Sequence, residues 1–173
     1  DPRGMERHIS YPQAAALVDS RSTLLDAGWT SRGITEAVAH GHLIRIQRNR
    51  YVAAVDTSDL WPESHHRVEV AAAVAEMRGG SGVVSYESAA VLWDLPLYQR
   101  RPDAVHISMP GDARMSSRLR VRRHADRLVE ADIDELHGVP CTSLERTIWD
   151  VARSLPPEAA VAAVDAALRQ IAL

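Results

Sequence analysis

Residues 30–54 read TSRGITEAVAHGHLIRIQRNRYVAA, and the prediction of the fold starts from this stretch. Ile34, Val38 and Leu43 recur at nearly the spacing of an amphipathic helix that runs into its C-terminal cap. Gly41 stands where a residue with left-handed backbone commonly ends a helix. The stretch therefore begins with a short predicted helix, which Thr30 or Ser31 can cap at its start.

Two short apolar runs follow at residues 43–46 and 51–53, with the polar turn Gln47-Arg48-Asn49-Arg50 between them. Asn49 tolerates the left-handed backbone that a tight hairpin requires. A helix followed directly by a basic hairpin is the outline of a winged helix-turn-helix. That motif places its helix in the major groove of DNA and its wing on the backbone.

Two more short helices are predicted before this stretch, at residues 11–18 and 21–27, with Ser20 or Ser22 capping the second. Together with a helix at about 31–40, they give the three helices that the motif requires. Residues 5–58 are therefore predicted to form a winged helix-turn-helix DNA-binding domain.

Residues 59–173 mix helix and strand patterns, which predicts a second domain of helices around a small sheet. The predicted helices cover about 63–78, 85–95, 142–155 and 158 to the end, and the predicted strands cover 105–109, 119–122 and 139–142. The capping box at residues 142–145 marks the start of the third helix. The fold class expected for the whole chain is α+β.

The charged residues are unevenly distributed along the chain. The net charge is −3, yet residues 100–127 carry eight arginines against three acidic residues. Lysine is absent, so a Walker-type phosphate loop, a protein-kinase site and a pyridoxal Schiff base cannot form in their usual way. These enzyme classes are therefore excluded, and the leading expectation is a DNA-binding protein that is not an enzyme, with no catalytic residues and no cofactor.

The hairpin arginines Arg45, Arg48 and Arg50, together with Asn49, are candidate contacts to DNA phosphates. The alternative interpretation is a charged turn that only faces solvent. On the predicted recognition helix the candidates are Ser31, Arg32, Thr35 and Glu36, which lie off the apolar face.

Arg32 could pair with a guanine edge, and Glu36 could accept a hydrogen bond from a cytosine amine. Alternatively, these two residues form an ordinary surface ion pair four residues apart. A second basic patch could extend the DNA footprint or meet an acidic partner, and the alternative is a solvated sheet face. It consists of Arg114, Arg118, Arg120, Arg122 and Arg123.

The eight histidines are scattered and show no metal-ligand spacing, and the single cysteine, Cys141, allows no internal disulfide. We expect no metal site. The chain has no apolar run of about 20 residues and no signal-peptide core, so a cytoplasmic protein without membrane contact is expected. Residues 1–4 precede the first methionine and are expected to derive from a vector.

The segment LLDAGWTSRGITEAVAHGHLIRIQRNRYV at residues 24–52 resembles the N-terminal winged helix of AbiEi-type antitoxins. Asn49 replaces the glycine usual in the wing of that family. Four later segments resemble the domain that follows in actinobacterial members. They are SYESAAVLWDLPL (85–97), VHISMP (105–110), RLRVRRH (118–124) and GVPCTSLERTIWDVA (138–152).

The resemblance implies the antitoxin of a type IV toxin–antitoxin pair, which represses its own operon by binding inverted repeats in the promoter. It implies a nucleotidyltransferase-like toxin as the functional partner, neutralised without a tight interface. By position, residues 31–36 would belong to the recognition helix and residues 45–51 to the wing.

Three other functions fit the same residues. The chain could be the DNA-binding front part of a nuclease whose catalytic domain follows Leu173, or a plain winged-helix transcriptional regulator. The second domain could also be a module that binds the toxin directly.

Overall fold

The computed structural model of the chain describes residues 7–77, 82–109 and 120–172. Helices and strands are mixed in it, so the fold is α+β, as predicted. The contacts divide the chain into two compact units, Asp1–Glu76 and Met77–Leu173. The predicted boundary at residues 58 and 59 falls inside the first of these units.

Three short helices followed by a hairpin make up the first part of the N-terminal unit. Its elements are α1 (Tyr11–Ala16), β1 (Asp19–Ser20), α2 (Arg21–Asp26), α3 (Ser31–Ala39), β2 (Leu43–Gln47), β3 (Arg50–Ala53), α4 (Ala54–Thr57) and α5 (Pro62–Val74). The side chains of Ser10, Ser20 and Thr30 each accept a hydrogen bond from the backbone N–H three residues further on. These caps satisfy donors that the first turn of a helix leaves unpaired. The predicted caps at Ser20 and Thr30 are thus confirmed.

The hairpin belongs to a three-stranded antiparallel sheet in the order β1-β3-β2. The pairing shifts register between Arg45 and Gln47, which lets Leu43 and Ile46 both point inward. Asn49 closes the turn with a φ of 57°, so the left-handed backbone predicted for it is confirmed. The two-residue strand β1 was not predicted.

Two clusters of buried side chains hold the N-terminal unit together. One joins α2 and α3 to the hairpin through Leu24, Ile34, Ala37, Leu43 and Tyr51. The other joins α1 and α5 to the hairpin through Ala14, Ile46, Val52, Val68 and Ala72. Because α5 packs its apolar face on the hairpin, the first unit continues past the turn-rich segment at residues 55–62.

A mixed five-stranded sheet with helices forms the C-terminal unit. Its elements are β4 (Val83–Val84), α6 (Tyr86–Leu92), β5 (Val105–Ser108), β6 (Val121–His124), a 3₁₀ turn (Glu130–Asp132), β7 (Ile133–Leu136), β8 (Val139–Thr142), α7 (Leu144–Ser154) and α8 (Pro157–Ile171). The strand order is β6-β5-β4-β8-β7, in which β5 and β6 are parallel, as are β4 and β8. The strands at 105–108 and 139–142 were predicted, whereas β4 and β7 were not.

Helix α7 begins one residue later than the predicted capping box implied. Its cap is Ser143, whose side chain accepts a hydrogen bond from the backbone N–H of Arg146. Thr142 instead ends β8, and its hydroxyl lies 2.7 Å from the hydroxyl of Thr147 in the buried interior. Because the side chain of Thr142 is buried against α7, it does not cap that helix.

Candidate nucleic-acid interface

Helix α3 turns its polar face outward because its apolar side chains anchor it to the hairpin. Ile34 and Ala37 are buried in the cluster shared with the hairpin. The predicted contact residues lie on the opposite, exposed face: Ser31, Arg32, Thr35 and Glu36. The structure thus places all four on one accessible surface of α3.

Arg32 and Glu36 pair with each other on that surface. The Nε of Arg32 lies 2.7 Å from Oε1 of Glu36, and the two side chains are 89% and 54% exposed. An exposed pair of this spacing stabilises a helix by only about 0.3 kcal/mol. The surface pair considered from the sequence is therefore present, and breaking it would cost little.

The other two polar residues of α3 have local partners. The hydroxyl of Thr35 donates to the backbone oxygen of Ser31 at 3.1 Å. The hydroxyl of Ser31 accepts from Nη2 of Arg21 at 2.8 Å. Both residues are exposed, so either hydroxyl can exchange its local hydrogen bond for one to an outside partner.

Two hairpin arginines present their charge to solvent. Arg48 lies in the exposed turn and has no ion-pair partner among the residues that the structure describes. Arg45 is also exposed, and within the described ranges its Nε donates only to the backbone oxygen of Gln47, at 3.4 Å. Both guanidinium groups can therefore bind an anion without first breaking an ion pair.

Arg50 is in a different situation, which the sequence did not indicate. Its Nε lies 2.9 Å from Oε1 of Glu76, and its Nη2 donates to the backbone oxygen of Ala75 at 2.9 Å. Its side chain is only 21% exposed. Arg50 thus connects the hairpin to Ala75 and Glu76, which directly follow α5, and Glu76 neutralises its charge.

Arg21 lies beside the predicted site but was not singled out in the sequence. Its backbone N–H donates to the backbone oxygen of Asn49 at 3.0 Å, and its guanidinium reaches Ser31 at the start of α3. The available signal was its position directly after the capping residue Ser20. Nothing in the local sequence shows that this position faces the hairpin.

The predicted basic strand does not form the single basic face that was expected. Strand β6 begins at Val121, and Arg120 precedes it with a φ of 62°. Arg122 and Arg123 are consecutive in the strand, so their side chains point to opposite faces. Arg122 pairs with Asp103 at 3.3 Å in an exposed position. Arg114 and Arg118 lie outside the described residues.

The C-terminal unit contains a cluster of polar side chains that the sequence did not reveal. Tyr86 takes left-handed backbone with a φ of 53°, and its ring stacks on His124 with 4.2 Å between ring centroids. Nε2 of His124 lies 3.2 Å from Nδ1 of His106. Asp126 accepts hydrogen bonds from the hydroxyls of Ser108 at 2.7 Å and Tyr86 at 3.3 Å.

Arginines of α7 extend this cluster. Nη2 of Arg153 donates to the hydroxyl of Tyr86 at 2.6 Å and to the fully buried Asp150 at 2.8 Å. Nε of Arg146 also contacts Asp150, and its Nη1 donates to Asp132 at 3.2 Å. These residues come from several elements of the sequence, so only the folded chain brings them together.

Burial dominates the acid–base properties of the cluster. Desolvation, helped by the nearby carboxylates of Asp126 and Asp150, raises the pKa of Tyr86. Desolvation also lowers the pKa of His124, although Asp126 opposes this change. At neutral pH the tyrosine and this histidine are both uncharged, and the hydrogen bonds hold the unit in one packing arrangement.

Cys141 in strand β8 is fully buried, and burial raises the pKa of its thiol to about 12. In the part of the chain that the structure describes, no cluster of histidine, cysteine or acidic side chains is arranged for metal binding. The described helices are each too short or too polar to cross a membrane.

The chain matches no protein-family model and has no significant match among curated proteins.

Proposed function

We propose that the N-terminal unit is a winged helix-turn-helix that binds double-stranded DNA. In this proposal α3 enters the major groove and the hairpin of β2 and β3 lies along the backbone. The observation that carries the proposal is the geometry of the cluster around Ile34 and Tyr51. It fixes the helix beside the hairpin while the polar face of α3 and the turn at Arg48 stay exposed.

The residues divide into three roles. Arg45 and Arg48 take phosphates, because neither is neutralised by a carboxylate in the described structure. Arg32 and Glu36 meet base edges after exchanging their weak mutual contact for contacts to DNA. Arg50 holds the hairpin in place through Ala75 and Glu76.

Ser31, Thr35 and Asn49 complete the proposed surface. The two hydroxyls lie in the first turns of α3, where they can reach a base or a phosphate. Asn49 shapes the turn that presents Arg48, because few residues with a side chain adopt a positive φ at low cost.

We further propose that the protein is the antitoxin of a type IV toxin–antitoxin pair and represses its own operon. The support is the resemblance to AbiEi-type antitoxins, which runs from residue 24 to residue 152 across both units. The DNA would then be an inverted repeat in its own promoter. The functional partner would be a nucleotidyltransferase-like toxin.

The test is a titration of the purified chain onto its own upstream promoter at several salt concentrations. Each phosphate contact adds about −0.9 to the slope of log K against log salt, so the two contacts of Arg45 and Arg48 give a slope of about −1.8. We expect the promoter to bind more tightly than a scrambled duplex of equal length. Equal affinity for both duplexes would contradict the repressor proposal.

A further inference from the structure

We propose that Arg21 is an additional phosphate contact, located between the footprints of α3 and the hairpin. The inference rests on the proposed DNA-binding function and extends it to a residue outside both predicted elements. In this role Arg21 contacts the phosphate backbone of the duplex and does not recognise bases.

Arg21 touches both parts of the proposed interface. Its backbone N–H donates to the backbone oxygen of Asn49 at 3.0 Å, which fixes its position against the hairpin turn. Its Nη2 donates to the hydroxyl of Ser31 at 2.8 Å, which directs the guanidinium toward the first residue of α3. Arg21 therefore lies between the first residue of α3 and the hairpin turn, where a duplex in contact with both would meet it.

The charge of Arg21 is available to an incoming anion. Among the described residues it has no carboxylate partner, whereas Arg32 pairs with Glu36 and Arg50 pairs with Glu76. A guanidinium group has five N–H donors, and the contact to Ser31 uses one of them. The remaining donors suit the two free oxygens of a phosphodiester, which arginine often binds through two hydrogen bonds.

A cleft gives a phosphate room beside this residue. It has a volume of about 400 Å³. Its lining residues are Ser20, Arg21, Ser22, Leu25, Asn49, Arg50 and Glu76. One water needs about 10–15 Å³ when volume is measured in this way, so the cleft has room for a phosphodiester group. Serine and asparagine side chains in the lining can supply further hydrogen bonds.

A phosphate contact has a specific energetic signature. Removing it weakens binding to every sequence by a similar factor, because the backbone carries no sequence information. At about 0.1 M salt the release of one counterion is worth roughly a tenfold change in affinity, and the salt slope changes by about 0.9. A residue that acts only by bracing α3 would change affinity without changing this slope.

The experiment compares Arg21→Ala, Arg21→Lys and Ser31→Ala in the full chain, on the promoter and on a scrambled duplex. We expect Arg21→Ala to lose about tenfold in affinity on both duplexes and to reduce the slope by about 0.9. Arg21→Lys keeps the charge and should keep the slope. Ser31→Ala removes the partner of Arg21 but no charge, so it should also keep the slope.

The matched control is Arg169→Ala, which removes an exposed arginine on α8 that pairs with Asp165. It should bind DNA as the wild type does. An Arg21→Ala variant that keeps the wild-type slope would overturn the role of Arg21 while leaving DNA binding intact. If the wild-type chain fails to bind either duplex, the proposed function and the role of Arg21 are both overturned.

Discussion

Arg48 and Arg50 lie on either side of Asn49, yet their guanidinium groups are in different electrostatic surroundings. Arg48 is exposed and unpaired in the described structure, whereas Arg50 is bound by Glu76 and by the backbone oxygen of Ala75. A free cation gains more from a phosphate than a neutralised one, since it has no ion pair to lose. The two arginines are therefore expected to serve DNA binding and stability, respectively.

Arg48→Ala should lower DNA affinity on all sequences and reduce the salt slope by about 0.9, with no change in thermal stability. Arg50→Ala should cost about 1 kcal/mol of stability, because a charge-assisted hydrogen bond to the end of α5 is lost. Binding titrations measure the DNA affinity and the salt slope of both variants, and thermal unfolding measures their stability. Equal effects of the two substitutions in both measurements would show that the assignment is wrong.

Thr30 caps the start of α3, and its side chain lies close to Gly33. The side chain of Thr30 accepts a hydrogen bond from the backbone N–H of Gly33. A Cβ added at Gly33 would lie 3.2 Å from that same hydroxyl oxygen. Glycine costs about 1 kcal/mol in a helix interior relative to alanine. A side chain at this position would therefore fit only if the Thr30 hydroxyl moved by a few tenths of an ångström.

Thr30→Ala should destabilise the N-terminal unit by about 1 kcal/mol, because the first turn of α3 loses its cap. Fraying of that turn would also displace Ser31 and Arg32, so DNA affinity should fall with stability. Thr30→Ser keeps the hydroxyl and is the matched control. Chemical unfolding followed by circular dichroism measures the difference, and a Thr30→Ser variant as unstable as Thr30→Ala would exclude the cap as the cause.

Helix α7 carries a buried carboxylate that holds two arginines of the same helix, and these arginines reach Tyr86 and Asp132 outside it. Asp150 is fully buried and accepts hydrogen bonds from Arg146 and Arg153. Replacing one partner of a buried ion pair commonly costs about 3 kcal/mol, because the opposite charge loses its compensation. Arg146 and Arg153 keep Asp132 and Asp126 as partners, so Asp150→Asn should destabilise the protein by less than that, about 2 kcal/mol.

The matched control for Asp150→Asn is Asp165→Asn on α8. Asp165 pairs with Arg169 in the same arginine–aspartate chemistry, but the side chains are 55% and 77% exposed. An exposed pair of this kind contributes about 0.5 kcal/mol at most. Urea unfolding of both variants measures the contrast, and similar stability losses would contradict the role of burial.

Over the whole molecule, most helices and strands could be predicted from local sequence signals. The contacts between residues that are distant in the sequence could not. The caps at Ser20 and Thr30 and the left-handed turn at Asn49 depend on neighbouring residues, so the sequence predicts them. The membership of α5 in the first unit depends on packing between Val68 and Val52, which no local pattern shows.

The same difference between local signals and distant contacts holds for the residues of the candidate site. The exposed face of α3 follows from helical periodicity, so its polar residues could be predicted. The pairing of Arg50 with Glu76 joins positions 26 residues apart, and the contact of Tyr86 with Arg153 joins positions 67 apart. Such pairs form only when the chain folds, and side-chain chemistry alone does not select them.

The cluster around His124 predicts how stability depends on pH. Burial lowers the pKa of His124 in the folded protein, so the unfolded chain binds the proton more readily. The stabilising contribution is complete above about pH 6.5, the ordinary histidine value, and is lost as the pH falls toward the folded value. The free energy of unfolding should therefore decrease between about pH 7 and pH 5.

His124→Asn should flatten this pH dependence, because the titrating group is removed. His42→Asn is the control, since His42 is exposed and lies in the other unit. Unfolding with urea at several pH values measures the slopes. If His124→Asn and His42→Asn both keep the wild-type slope, His124 does not supply the pH dependence.

Guanine methylation protection tests most directly whether α3 reads the major groove of the promoter. Guanine N7 lies in the major groove, so a bound helix shields it from methylation. Protection is expected within the promoter repeats for the wild type, and Arg32→Ala should lose it at one guanine per half-site. Full methylation of every promoter guanine at saturating protein would contradict the account.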